Sequence, residues 1–445
     1  MPSSPADRRP SDPAAGLEVR PFRALTYRHH DHASLARVSS PAYDLVTPTD
    51  RDRLAASDPH NIVRLILPRD ERPAGAAPAQ EGVAASWAAR AAEELRRWER
   101  EEVLVRDAVP ALWAYELQPP DGGAATVGWL GAVSIPALSS PAVLPHEDTF
   151  PVAVEGRRAL LAATRTDLEP IVLAHDADPE VTDLTGRARR ETPTMEVLYD
   201  DGVRHRLWRV TDPALLAPLT AALRRTAAVI ADGHHRFAAA RAHQRTDPGC
   251  PGCDAVLALV TPMGPGGLRV AAIHRVVPDL GLDAAAGTAA AGFTVTDLPV
   301  PAGTSEGASV AASVHAWSAD PEGAGYLLSD GRRLVHLGDP APSVRDRVPT
   351  EAPESWRGLD VVLAHHGLLD GLWGRSDEPE SVLIAHTVEE ALRTAVERAG
   401  VALFLRPPSP ADVAAVARAG ARMPRKSTLF VPKPRTGLVL RPLDD

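Results

Sequence analysis

Val229-Ile230-Ala231-Asp232-Gly233-His234-His235-Arg236-Phe237 is the stretch whose reading decides the fold. The apolar run from Ala227 to Ala231 predicts a buried strand that stops at Gly233. An Ala-rich amphipathic stretch from His235 to about Gln244 predicts a helix, with Phe237 and Ala240 on one side. Strand, glycine turn and helix start together aim backbone N–H groups and the positive end of a helix at an anion. This turn also carries a carboxylate, two imidazoles and a guanidinium. Arg236 can grip a phosphate with two parallel hydrogen bonds, and Asp232 can hold a divalent cation or orient a reacting hydroxyl. The plainer alternative is a helix cap at Asp232 followed by solvated polar residues.

Working outward, composition sets limits. At 445 residues the chain is long enough for two or three domains, and 44% hydrophobic with 24% charged residues is ordinary for a globular protein. A formal net charge of −10 argues against a nucleic-acid partner, because binding by counterion release needs clustered Lys and Arg. Phosphate chemistry is therefore expected to be local and aimed at a small molecule. Two cysteines give no disulfide framework. Met1 to Pro5 lacks the apolar core of a signal peptide and no apolar run approaches membrane-spanning length, so a cytoplasmic location and no membrane partner are expected. The first 16 residues, rich in Pro, Ser, Ala and charge, are expected to be disordered.

Periodicity places further elements. Asn61 to Leu67 alternates as a strand would, and Trp87, Ala91, Leu95 and Trp98 give one apolar face to a helix over 83–100. Val109 to Leu117 and Val127 to Ile135 read as a hairpin across Pro119-Pro120-Asp121-Gly122-Gly123. Strands are also expected at 171–174, 203–210, 255–260, 271–277 and 402–405, and helices at 359–372 and 388–399. Ser409-Pro410, with Asp412 in the first turn, marks a helix start. The Ala-, Gly- and Thr-rich segment 287–307 suggests a module boundary. The expected division is a tail (1–16), an N-terminal α/β module (17–140), a core around the turn (141–285), an accessory α/β module (286–405) and a C-terminal helix and tail (406–445).

Chemistry at the turn needs partners. Pro145-His146-Glu147 can present a carboxylate as a general base, with His146 setting its orientation or pKa, or it can simply open the next helix. Lys426-Ser427-Thr428 can offer one charge and two hydroxyls to a phosphate or carboxylate, or be a plain strand edge. Cys250-Pro251-Gly252-Cys253 has redox spacing, and with His243 it can form part of a zinc site. However, it sits in a loop after a helix, and no second Cys pair completes four ligands. His29-His30-Asp31-His32 offers metal ligands but lies in an irregular N-terminal region and reads as a solvated loop. Signatures of P-loop, dinucleotide-binding and serine-hydrolase turns are all missing.

The landmarks Pro21-Phe22-Arg23-Ala24, Pro41-Ala42-Tyr43-Asp44, Leu144 to Thr149, Asp201 to His205, Ala231 to Arg236 and Met423 to Pro434 resemble, nearly end to end, the family known as domain of unknown function 1015. One departure is Val154 and Gly156, where that family usually carries Lys and Asp just before the arginine matched by Arg157. Pro145-His146-Glu147, Asp232 to Arg236 and the C-terminal Lys426-Ser427-Thr428 also resemble the three signatures of the ADP-dependent free serine kinases of archaea, within the ParB/sulfiredoxin-like group. That resemblance implies a mixed α/β (α+β) fold with a ParB/sulfiredoxin-like core and added terminal modules. It implies a kinase of free serine or a similar hydroxylated metabolite that uses ADP or ATP and Mg²⁺. Glu147 would act as base with His146 beside it, and Asp232 would hold Mg²⁺ or orient the hydroxyl. Gly233, His234, His235 and Arg236 would bind phosphates, and Lys426, Ser427, Thr428 and Arg157 the substrate. A cysteine stands at the His234 position in sulfiredoxins, so sulfinic acid repair is not implied. Phosphoester hydrolysis and a non-catalytic nucleotide switch are the competing readings.

Overall fold

The computed structural model describes residues 16–69, 83–120, 122–264, 266–301, 306–320, 323–376, 378, 380–424 and 426–444. All but the last residue of the tail expected to be disordered lie outside that range. Two compact units divide the chain. The first comprises the residues up to Pro145, Thr149–Leu268 and Pro432–Asp445, and the second comprises His146–Asp148 and Arg269–Val431.

The first unit is built on a nine-stranded mixed sheet. Its strands in chain order are β1 (Val19–Arg20), β2 (Leu112–Gln118), β3 (Thr126–Ser134), β4 (Val143–Leu144), β5 (Ile171–His175), β6 (Met195–Leu198), β7 (Arg204–Val210), β8 (Ala228–Asp232) and β9 (Ala255–Pro262). In space they run β4-β8-β5-β9-β3-β2-β7-β6, with β1 paired to the far end of β3. β4–β8 and β5–β9 are parallel and the other pairs antiparallel. The expected hairpin is β2–β3, with Trp113 opposite Leu130.

Strand side chains alternate between two buried faces. Trp113, Tyr115, Leu117, Leu257 and Leu259 join one core, which also takes Leu95 and Trp98 from the helix Val83–Arg100. Leu112, Ala114, Val256, Ala258 and Val260 join the other, closed by Leu184, Leu219 and Phe237 from three further helices. Helices on both faces of a mixed sheet make the fold α/β, as the sequence implied.

The second unit has a six-stranded antiparallel sheet in the order Thr294–Leu298, Leu334–Gly338, Tyr326–Ser329, Val401–Phe404, His274–Val277, Leu383–Ala385. The expected strand near 402 is therefore interior. The helix Pro410–Arg418 begins with a full capping box between Ser409 and Asp412.

One expectation is overturned. Asn61 to Leu67 is not a strand; Val63–Ile66 forms a single helical turn. The Asn61 side chain accepts from the Val63 N–H (2.9 Å) and donates to the carbonyls of Arg37 and Ser39, fixing a turn instead of a ladder. Val63, Leu65 and Ile66 are all buried, so the apolar run reflects burial on every side and carries no strand period. Among the described residues no helix is long and apolar enough to cross a membrane.

Candidate functional site

In the first unit, β8 runs between β4 and β5, and its register against β5 shifts between Ile230 and Asp232. A bulge of this kind re-aims the side chain that follows it. Gly233 comes next at φ 91°, and the helix His234–Thr246 begins immediately after. A Cβ on Gly233 would lie 2.7 Å from Ile171 Cγ2, so both the left-handed backbone and the close approach to β5 require glycine. The N-cap is Gly233 itself, which has no side chain to offer the amides that follow. The amides of a first helical turn have no acceptor within the helix, which gives this end its affinity for anions.

Asp232 sits between two cations. It pairs with Arg236 one turn along the helix and, through Oδ1, with Lys433 Nζ at 2.7 Å. Lys433 is held on its other side by Asp44 Oδ2 at 2.5 Å. Arg236 Nη1 donates to the Pro170 carbonyl (2.6 Å), and its guanidinium carbon lies 5.5 Å from the centre of the Tyr43 ring. Arg157 covers the same ring at 3.7 Å and donates to the Ile66 carbonyl. The buried Glu169 takes the Tyr43 N–H and the Thr436 hydroxyl on one oxygen. Burial alone would lift the Asp232 carboxyl, but Arg236 and Lys433 outweigh it and hold the carboxyl below the usual range. Burial likewise opposes the charge on Lys433, and Asp232 and Asp44 more than restore it, so its ammonium loses its proton only above the normal lysine range.

His235 accepts the Phe150 N–H at Nε2 (3.1 Å) and stacks on that ring, so this imidazole also caps the helix Pro151–Thr164. His234 is buried and close enough to act electrostatically on Asp232. A cavity of about 40 Å³ adjoins the cluster, lined by Arg157, Thr166, Asp167, Glu169, Arg236 and apolar side chains. It holds a water or two, not a nucleotide.

Mg²⁺ does not fit Asp232 as these groups stand. Both carboxylate oxygens already carry cationic partners, and a hard dication needs several oxygen ligands. Arg236 spends one N–H of each terminal nitrogen on the Pro170 carbonyl and Asp232, so a phosphate there shares the guanidinium with them.

The second unit holds the other predicted residues. His146 is fully buried, and its Nε2 lies 2.9 Å from Thr428 Oγ1; that hydroxyl donates to Glu147 Oε1 at 3.0 Å. His146, Thr428 and Glu147 thus form one hydrogen-bonded chain, with the imidazole edge-on to Phe430. The Glu147 side chain keeps 27% of its surface exposed. Ser427 turns inward to the Pro424 carbonyl (2.6 Å), closing a loop. Lys426 is exposed, at φ 51°. Arg275 anchors that loop by donating to the Lys426 carbonyl.

The structure therefore groups Asp232, Gly233, His234, His235, Arg236 and Arg157 in one unit, and His146, Glu147 and Thr428 in the other. Sequence reasoning missed Lys433, Asp44, Tyr43 and Glu169. The first three lie within quoted landmarks, and the signal available was one lysine between prolines and one acid after a tyrosine.

Fold and site together define a mixed α/β protein whose strand–glycine–helix turn is closed by buried ion pairs. The chain belongs to the family described as "Protein of unknown function (DUF1015)", which matches residues 19–362. No curated protein matches it. Solved structures similar to it include a free serine kinase in complex with AMP (13% identity, 69% of this chain and 92% of that one, TM-score 0.30). SbnI from Staphylococcus aureus, truncated at its C terminus, is similar at 13% identity over 71% of this chain and 87% of that one, with TM-score 0.35. A conserved hypothetical protein from Pyrococcus furiosus is similar at 12% identity over 71% and 96%, with TM-score 0.32.

Proposed function

We propose that this protein binds a nucleotide by its phosphates at the Asp232–Arg236 turn and is a phosphotransferase, a kinase of free serine or a similar small alcohol. One observation carries the reading. A helix start whose N-cap is a positive-φ glycine adjoins two cations, Arg236 and Lys433, that are held in place by carboxylates. A phosphate arriving there competes with Asp232 for cations already positioned, so little side-chain ordering remains to be done. Phosphoryl transfer asks the protein mainly for positioning, charge neutralisation and a base. Gly233, His234 and His235 would supply backbone donors, and Arg157 a further cation.

Glu147 is the proposed base, oriented by the Thr428 hydroxyl with His146 behind it, and Lys426 and Ser427 are assigned to the substrate side. The serine-like substrate class rests on the likeness of the three sequence motifs to those of free serine kinases. Any Mg²⁺ would enter on the nucleotide phosphates. A non-catalytic nucleotide switch is the second reading, favoured by the engagement of both terminal nitrogens of Arg236 within the protein.

Incubation of the intact chain with Mg²⁺, ADP or ATP and serine, followed by phosphorus NMR, separates these readings. Phosphoserine formation is the expected result. Inorganic phosphate released only from added phosphoserine identifies a phosphatase instead. Binding with no turnover across a panel of hydroxylated metabolites identifies the switch.

A further inference from the structure

Far from any role assigned above, the first unit gathers three soft donors. His243 ends the helix that the turn begins, and Cys250 and Cys253 lie on the loop that follows it. One ligand atom from each lies within 4.8 Å of both others. His243 is 5% exposed and Cys253 4%. The His243 Nε2 faces Cys250 Sγ at 3.9 Å. In a tetrahedral zinc site, bond lengths of about 2.0 Å to nitrogen and 2.3 Å to sulfur separate the two donors by roughly 3.6 Å. The imidazole is thus already near ligating distance.

The loop has the form of a metal knuckle. Cys250 N–H donates to Asp247 and Cys253 N–H to Cys250, so successive tight turns present both sulfurs to one side. Gly252 makes the second turn at φ 67°, where a Cβ would lie 2.2 Å from the Leu443 carbonyl oxygen. Arg165 Nη2 lies 3.6 Å from Cys250 Sγ.

We propose that His243, Cys250 and Cys253, with the thiols reduced, form a binding site for a soft divalent cation of the zinc class, with solvent in the fourth position. In the structure the two cysteines are joined as a disulfide, and that bond and the metal exclude each other. A phosphine reductant opens it: the phosphine takes oxygen from water, and both sulfurs leave as thiols. Binding then releases two thiol protons and forms two metal–sulfur bonds and one metal–nitrogen bond. The site lies against the chain's last strand. Arg441 donates to the Gly252 carbonyl and the Leu443 N–H to the Arg165 carbonyl, so the cation ties the helix, the loop and the C-terminal segment together.

The test uses the full chain, reduced with a phosphine, with free thiols counted before cobalt(II) is added. The expected result is about one cobalt per chain with a sulfur-to-cobalt charge-transfer band and the visible bands of tetrahedral coordination, all abolished by zinc. The double variant Cys250→Ser, Cys253→Ser loses the bands, and His243→Ala weakens binding at least tenfold. Zinc should also slow alkylation of both cysteines in the unsubstituted chain, a readout that survives if the variants fail to fold. No charge-transfer band on the reduced chain, or a stoichiometry unchanged in the double variant, overturns the proposal. So does alkylation indifferent to zinc.

Discussion

Replacing Lys433 by Met tests the ion-paired cluster directly. The ammonium is 8% exposed and lies between Asp232, 14% exposed, and Asp44, 31% exposed. Met fills similar volume and removes only the charge, leaving Asp232 with Arg236 alone and Asp44 without its buried partner. Breaking a buried pair by removing one member costs about 3–5 kcal/mol, because the remaining charge is stranded. For a unit of this size that corresponds to a fall in melting temperature of roughly 6–20 °C.

The pH dependence is fixed by the shifts. Asp232 is depressed, so its contribution is complete above the ordinary carboxylate pKa and is lost as pH falls through its lower folded value. Lys433 is raised, so its contribution is complete below the ordinary lysine pKa and is lost as pH rises through its higher folded value. The penalty measured by urea or thermal unfolding should therefore be flat between about pH 5 and 10. A double-mutant cycle with Asp44→Asn should recover a coupling of about 0.5–3 kcal/mol. A loss below about 1 kcal/mol for Lys433→Met would refute the reasoning, because that is the value of an exposed pair.

Three further outcomes are expected. Gly233→Ala should destabilise the first unit by about 1–3 kcal/mol, seen as a lower urea midpoint, since the side chain meets Ile171 and strains a left-handed residue; an unchanged midpoint argues against the turn geometry. Thr428→Val should cost about 1–3 kcal/mol in the second unit by severing both His146 and Glu147 from their shared hydroxyl, and Glu147→Gln should abolish turnover if Glu147 is the base. Burial depresses the His205 pKa to about 3. The folded state then refuses a proton that the unfolded chain accepts below about pH 6.5, so stability falls with acidification by about 2 kcal/mol at pH 5. His205→Phe should flatten that slope in unfolding titrations, and an unaltered slope would assign the acid sensitivity elsewhere.

The strand, turn and helix around Asp232 were legible because each carries its own local signal: an apolar run, a glycine that no other residue replaces, and an amphipathic repeat. The helix over 83–100 and the hairpin of β2 and β3 were legible for the same reason. Asn61 to Leu67 was not, because burial on all sides erases the period that separates strand from helix, and one asparagine decides the outcome through hydrogen bonds to residues 22 and 24 positions away. The partners of Asp232 were equally hidden. Lys433 lies about 200 residues further along the chain and Asp44 about 190 residues before it, and charge pairing across such separations leaves no trace in spacing. The link from His146 to Glu147 was visible as adjacency, but nothing in the spacing showed that the Thr428 hydroxyl makes it.

Calorimetric titration of ADP and ATP into the intact chain, with and without Mg²⁺, tests the proposed binding of nucleotide phosphates at the Asp232–Arg236 turn. Saturable binding is expected, with phosphorus resonances shifted on the phosphates, and at least tenfold weaker binding in a folded Lys433→Met variant. Absence of heat and of any phosphorus shift at millimolar nucleotide, or binding indifferent to loss of Lys433, would contradict it.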